Sequence, residues 1–402
     1  MNRVDWLVLD LNSYFASVEQ QEQPALRNHP VAVVPVMTDS TCCIAASYEA
    51  KAFGIRTGTR VSEAKTLCPE LHLVEANPPL YVLYHHKIIE AIDSCVPVAS
   101  ILSIDEVACE LTGSQRDVSV AIELSLKIKR IIAERTGPCL RSSIGLAPNR
   151  FLAKVASDMK KPDGLTVIRL CDLPNILFSL KPRDLPGIGS QMEKRLEQKG
   201  IRTLEQLTSL NSSQMKSVWG SVVGERFYGW LRGENLDELP TQRRSIGHSH
   251  VLEPSLRTMT RAFPIVQKLT CKAALRLRKM DYWASHMTVS VKFLNGPSAE
   301  AKARLDEVQD TSTFLTTLKN LWERLPARNP LRVGVTFHSL VPAERHTPSF
   351  LGEAKKEELS IVMDKLNDKY GKNTTYFASL HRVLNEAPVR IGFTRIPHVS
   401  EF

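Results

Sequence analysis

The apolar run Trp6-Leu7-Val8-Leu9-Asp10-Leu11 carries a single carboxylate near its end. Apolar residues in such a short run read as a buried strand. An ionised Asp beside them is tolerated only where the strand ends and cations or donors can meet it. The run therefore demands a sheet, and a place at its edge where charge is managed. Asn12 or Ser13 then offers a helix N-cap, and residues 14–21 continue with helical spacing.

The rest of the first half repeats that alternation. Val31 to Val36 is a second apolar strand, with a polar turn at 38–41. Ile44 to Phe53 mixes small residues with Tyr48 and Lys51 and ends at Gly54. Residues 81–96 and 118–135 have helical periods, and 101–111 and 142–146 read as strands. The order β-α-β-α-α-β-α-β suits an α/β layer with carboxylates at strand ends. After Gly164 the character changes. Residues 172–231 are short helices broken at Pro186-Gly187-Ile188-Gly189, Gly220 and Gly224. Residues 235–242 are polar with a Pro, as in a linker. Beyond them come a strand at 244–252, a long basic helix at 260–280, a half-buried strand at 286–293 with Met287, Val289, Val291 and Phe293 on one face, its partner at 299–308, a helix at 312–325 and a strand at 332–340. That β-α-β-β-α-β order gives a four-stranded sheet with two helices. The tail from Leu351 holds one helix, 357–370.

A chain of 402 residues divides into two to four domains. No apolar run reaches the roughly 18 residues of a membrane span, and the N-terminus reads as a strand rather than a signal peptide. The eight cysteines are scattered without a CxxC pair, which fits reduced thiols in the cytoplasm. Between Arg243 and Arg345 stand seventeen Lys and Arg against eight Asp and Glu, an excess equal to the whole chain's +9. A basic module in a near-neutral remainder suggests a grip on nucleic acid, although a solvated basic face gives the same count.

Two further carboxylates, Asp105 and Glu106, lie in Ser103-Ile104-Asp105-Glu106 within a strand-like run. Each acid alone reads better as a solvated or capping group. Three brought together at a sheet edge stay ionised only with cations among them. Oxygen-only ligands favour Mg²⁺, and two such ions serve phosphoryl transfer.

The text around these acids resembles the Y-family DNA polymerases. The matching stretches are Asp10-Leu11-Asn12-Ser13-Tyr14-Phe15-Ala16-Ser17-Val18-Glu19, Tyr48-Glu49-Ala50-Lys51, Ser103-Ile104-Asp105-Glu106, and residues 143–164, with Lys154 and Lys161-Pro162-Asp163-Gly164. They occur in the family's order and spacing over roughly residues 4 to 345. The resemblance implies a multidomain α/β and α+β fold, a right-hand polymerase. Its parts would be a palm (1–12 and 78–165), fingers (13–77), a helical thumb with a helix-hairpin-helix (166–234), a linker (235–243), a β-α-β-β-α-β little finger (244–345) and a tail (346–402). The first motif and the tail resemble the polymerase V catalytic subunit, and the Lys-Pro-Asp-Gly region is equally similar to polymerase IV.

The same resemblance implies roles. Asp10, Asp105 and Glu106, with the Leu11 carbonyl, would hold two Mg²⁺ ions. Phe15 would be the steric gate against a ribose hydroxyl, with Tyr14 under the nucleotide beside it. Tyr48, Lys51 and Lys161 would grip the dNTP triphosphate. The family's usual pattern has Arg where Lys51 stands and Thr or Ser where Ala45 stands, and Lys gives up bidentate geometry. Gly187 and Gly189, in a helix-hairpin-helix turn, would offer amides to a DNA phosphate. Arg243, Arg244, Lys272, Arg276 and Lys279 would hold duplex DNA. The implied activity is low-fidelity, lesion-bypassing DNA synthesis on a primed template by a cytoplasmic monomer, in DNA repair and SOS mutagenesis. A sliding clamp and a polymerase V-type accessory subunit are candidate partners, although residues 398–402 match a clamp peptide poorly. The competing reading is a catalytically weak polymerase-like scaffold that binds DNA and recruits replication factors.

Overall fold

The structure is a computed structural model that describes residues 3–236, 243–347, 354–387, 391 and 396–397. The chain forms two units, one of residues 1–238 with 390–402 and one of residues 239–389. Residues 237–242, most of the expected linker, and 398–402, the weak clamp peptide, lie outside the described residues.

In chain order the first unit contains β1 (Trp6–Leu11), α1 (Tyr14–Glu22), β2 (Val31–Val34), β3 (Ala45–Ala46), α2 (Tyr48–Ala52), α3 (Val61–Leu67), β4 (His72–Glu75), α4 (Pro78–Asp93), β5 (Ser100–Ile101), β6 (Glu106–Glu110), α5 (Val118–Thr136), β7 (Ser142–Ala147), α6 (Arg150–Met159) and β8 (Leu165–Val167). Four short helices follow: α7 (Ser190–Gln198), α8 (Leu204–Thr208), α9 (Ser212–Trp219) and α10 (Val223–Trp230).

The five-stranded sheet runs β5-β6-β1-β7-β8. Strand alternation sorts its side chains. Leu7, Leu9 and Leu11 join the core under α4 and α5, whereas Val8 joins the core shared with α6 and the short helices. Asp10 shares Val8's parity, and Glu106 faces it across the β1–β6 ladder. The parity of the first strand thus aims two carboxylates toward α6. Ile391 and Ile396 also pack against the core under α4 and α5.

Two expectations for this half need correction. The run 101–111 is not one strand: the chain turns at 102–105, and β5 folds back on β6 with Ile101 opposite Val107. Ser103 drives the turn, accepting a hydrogen bond from the Asp105 amide and donating one to its carboxylate. Second, β2 does not join the α/β layer. It centres a separate sheet of order β3-β2-β4, whose parallel partner β4 is too polar and exposed to stand out in the sequence.

The second unit contains β9 (Ser245–Val251), α11 (Met259–Lys279), β10 (Tyr282–Phe293), β11 (Ala299–Val308), α12 (Thr311–Trp322), β12 (Pro330–Pro342) and α13 (Ala354–Tyr370). Its sheet runs β11-β10-β12-β9, and Met287, Val289, Val291 and Phe293 are buried in the core beneath α11 and α12. The tail up to residue 389 is part of this unit. Asp364 accepts a two-pronged bond from Arg278, and Leu380, Val383 and Ala387 enter the core.

Candidate active site

Asp10, on β1, is 5% exposed, and both of its oxygens are taken. Lys154 lies 2.7 Å from one and Lys161 lies 2.6 Å from the other. Burial alone would raise its pKa, but the two ammonium groups outweigh that and hold it below the ordinary carboxylate value. Among the described residues, Glu106, the first residue of β6, pairs only with Lys154, at 2.8 Å. Burial pushes its pKa up, against Lys154. Asp105 sits in the preceding turn, with its carboxylate on the Ser103 hydroxyl at 2.5 Å. Burial raises its pKa too, and the Asp10 charge adds to the rise. Its carbonyl accepts from the Leu11 amide, which locks the turn to the end of β1.

Lys154 comes from α6, which lies close enough on β7 that a side chain at Gly145 would fall 2.0 Å from the Ala153 carbonyl oxygen. Asn149 caps α6 through the Leu152 amide and donates to the carbonyls of Trp230 and Glu234, tying the helix to the end of α10. Lys161 is placed by the turn behind it. Asn12 accepts from the Asp163 amide and donates to Ser143 on β7, so the first motif and both ends of the last one meet at one buried side chain.

Phe15 is half-buried and stacks on Tyr81, with ring centroids 4.4 Å apart. Tyr14 departs from the expectation that it lies under a nucleotide. It is 3% exposed, and its hydroxyl donates to the Tyr81 carbonyl, so it supports Phe15 from the core. Tyr48 and Lys51 come together on α2, with the ammonium 4.2 Å from the ring centroid. Lys51 also donates to Ser13, which has left-handed backbone (φ 50°). Burial and the neighbouring Lys161 lower the Lys51 pKa. Ala45 is buried on β3.

Gly187 and Gly189 are exposed at the start of α7, between the buried anchors Leu185 and Ile188, and Gly187 requires its positive φ of 87°. Arg243 and Arg244 lead into β9, with Arg244 exposed. The expected cationic face of α11 is the clearest correction. Lys272 donates to the Ala387 carbonyl, Lys279 pairs with Asp368 at 2.9 Å, and Arg276 is half-buried on the same helix. The C-terminal segment covers this helix, a contact the sequence had no short-range signal for. The opposite face of the sheet is the accessible one. It carries Lys302, Arg304, His286, Lys292 and Arg332, all exposed and in cross-strand register. Sequence reasoning also missed Tyr81, Ser13 and Asp158. Asp158 lay within a matched motif, four residues after Lys154 and three before Lys161, and that helical spacing was the signal that could have found it.

Family models described as impB/mucB/samB family, DNA polymerase-iota thumb domain, and impB/mucB/samB family C-terminal domain match residues 9–158, 183–235 and 243–350. DNA polymerase IV 1 of Bacillus subtilis is 30% identical over 378 residues, 90% of each chain. The chain belongs to the Y-family of DNA polymerases. DNA polymerase IV of Moorella thermoacetica is also 30% identical, over 92% of this chain and 95% of the relative. DNA polymerase IV of Bacillus velezensis is 29% identical over 91% and 90%. Among solved structures, a Y-family DNA polymerase chimera built on Dbh superposes with a TM-score of 0.71 at 24% identity, covering 84% of this chain and 99% of that one. An insertion ternary complex of Dbh DNA polymerase gives 0.53 over the same shares. The thumb-domain match spans α7–α10, and the C-terminal-domain match spans β9 to β12 of the second unit. No helix among the described residues is long and apolar enough to cross a membrane.

The donor set fits divalent cations in kind: hard carboxylate oxygens on β1, on β6 and in the turn before it, two of them with raised pKa values that a cation would relieve. Among the described residues, no three acidic, His or Cys side chains stand as a ready metal cage. Lys154 instead lies between Asp10 and Glu106.

Proposed function

We propose that this chain is a template-directed DNA polymerase of the low-fidelity translesion type, adding dNMP from dNTP to a primer 3′-hydroxyl in DNA repair and damage tolerance. The observation that carries the reading is the placing of Asp10 opposite Glu106 on adjacent strands, with Asp105 in the turn before β6, faced by Lys154 and Lys161 from one motif. The three carboxylates, with the Leu11 carbonyl, would hold two Mg²⁺ ions, which when bound activate the attacking hydroxyl and stabilise the leaving oxygen.

The chain's own residues do the rest. Lys161 and Lys51 present positive charge to the triphosphate, and Tyr48 beside Lys51 narrows its approach. Phe15, backed by Tyr81, sets a wall where a sugar 2′-substituent would lie. Gly187 and Gly189 offer exposed backbone amides to a phosphate without reading bases. Duplex DNA is held by the open face of the little-finger sheet, through Lys292, Lys302, Arg304 and Arg332, rather than by α11. Arg243 and Arg244 enter the same sheet at β9. The substrates are a primed template and dNTPs, met in the cytoplasm by a monomer. Primer extension by the purified chain with Mg²⁺ tests the reading. Binding of primed DNA with no nucleotide added would leave only a DNA-binding scaffold.

A further inference from the structure

Lys154 has more partners than a lysine on a helix surface needs. Its side chain is 17% exposed, and its ammonium touches Asp10 at 2.7 Å, Glu106 at 2.8 Å and Asp158 at 3.0 Å. Asp10 and Glu106 are the two carboxylates directly opposite on neighbouring strands. Any cation that bridges them must take the ground on which this ammonium stands. Among the described residues Asp158, one helical turn on and more exposed, is the one ion-pair partner of Lys154 outside the carboxylate set. It also accepts from Lys161 at 2.8 Å.

We infer that Lys154 is a built-in counter-cation for the palm carboxylates: it bridges Asp10 and Glu106 until a divalent cation arrives, then withdraws to Asp158. This assignment rests on the polymerase reading above. The charges support it. Asp10, Asp105, Glu106 and Asp158 carry four negative charges, and Lys154 and Lys161 return two positive ones. Without Lys154 the paired strands would hold like charges face to face, which opposes folding of this edge. With it, the edge is stable, and a cation must displace an ammonium to bind. Lys154 is thus a positioning residue that sets how tightly the site takes a cation. Asp158 sets how readily it lets go.

The test is Mn²⁺ binding to the full chain without DNA or nucleotide, read from loss of the free-ion EPR signal. Removing a competing charge at this range strengthens cation binding, so Lys154→Met should bind Mn²⁺ at least about tenfold more tightly than wild type. Its Tm without metal should fall, and Mn²⁺ should restore it. Lys154→Arg, which keeps the charge, should bind as wild type does. Asp158→Asn should weaken binding in the wild-type background and change it little alongside Lys154→Met, because its effect passes through Lys154. Equal or weaker Mn²⁺ binding by Lys154→Met would overturn the proposal, since a purely structural lysine leaves misplaced carboxylates behind. An equal effect of Asp158→Asn in both backgrounds would overturn the withdrawal step. If neither wild type nor Lys154→Met takes up any Mn²⁺, the metal assignment beneath the proposed function fails instead.

Discussion

Phe15 owes its position to a residue sixty-six places away. Its ring lies on Tyr81, whose hydroxyl donates to buried Glu19, while Tyr14 braces the Tyr81 carbonyl. As the proposed sugar gate, a wall built this way would exclude by clash rather than by attraction. Phe15→Ala should raise ribonucleotide incorporation relative to dNTP by about tenfold or more, measured by single-nucleotide insertion; unchanged sugar selectivity would place the gate elsewhere. His85 makes a second prediction at this scale. It is buried, and its Nδ1–H donates to the Ile104 carbonyl at 2.8 Å, pinning the turn that carries Asp105. Burial depresses its pKa below the usual 6.5, so the folded chain keeps it neutral while the unfolded chain takes up a proton. The stability it contributes is present above pH 6.5 and is lost as pH falls toward the lower folded value. Thermal denaturation from pH 7.5 downward should therefore show a steeper fall in Tm for wild type than for His85→Gln, and identical slopes would remove His85 from the account.

Helix α6 is the element on which the site depends, because it delivers Lys154 and Asp158 and is fixed at both ends of its contact. Asn149 ties its start to α10, and Gly145 lets its backbone lie against β7. Gly145→Ala places a methyl group 2.0 Å from a backbone oxygen that belongs to the helix. It should cost about 3 kcal/mol in denaturant unfolding, the upper range for overpacking, with Lys154 displaced as well; a change below about 0.5 kcal/mol would mean that the helix floats freely on the sheet. Elements with strong periods were legible in the sequence. These included the first strand, the long helices, and the β10–β11 pair with its alternating Met287, Val289, Val291 and Phe293. The β5–β6 turn was not, because an apolar run has no marker of direction and only Ser103 signals the bend. The strand at 72–75 was hidden by its half-exposed polar character. The coverage of α11 by the tail was hidden because no local rule pairs Arg278 with Asp364 across that separation.

For the molecule as a whole, the sequence located the excess charge but gave it to α11, whose Lys272 and Lys279 the structure turns to the C-terminal segment. Lysines along a helix have the same spacing whether they face DNA or main-chain carbonyls, and Lys268 and Lys272 face carbonyls. The sheet's open face should carry the phosphate contacts. Primed-DNA binding measured against salt should lose about one unit of log–log slope for Arg332→Ala, and none for Lys272→Ala. The reverse pattern would return the grip to the helix. The catalytic assignment rests on a different readout. Among the described residues Asp105 pairs with no ammonium, and its carboxylate bonds only the Ser103 hydroxyl, so removing it leaves the lysine bridge between β1 and β6 in place. The most direct measurement is primer extension with Mg²⁺ by Asp105→Ala beside its affinity for the same primed template. Extension should be abolished with DNA binding within about twofold of wild type. Retained extension would contradict the assignment of these carboxylates as the site of nucleotidyl transfer.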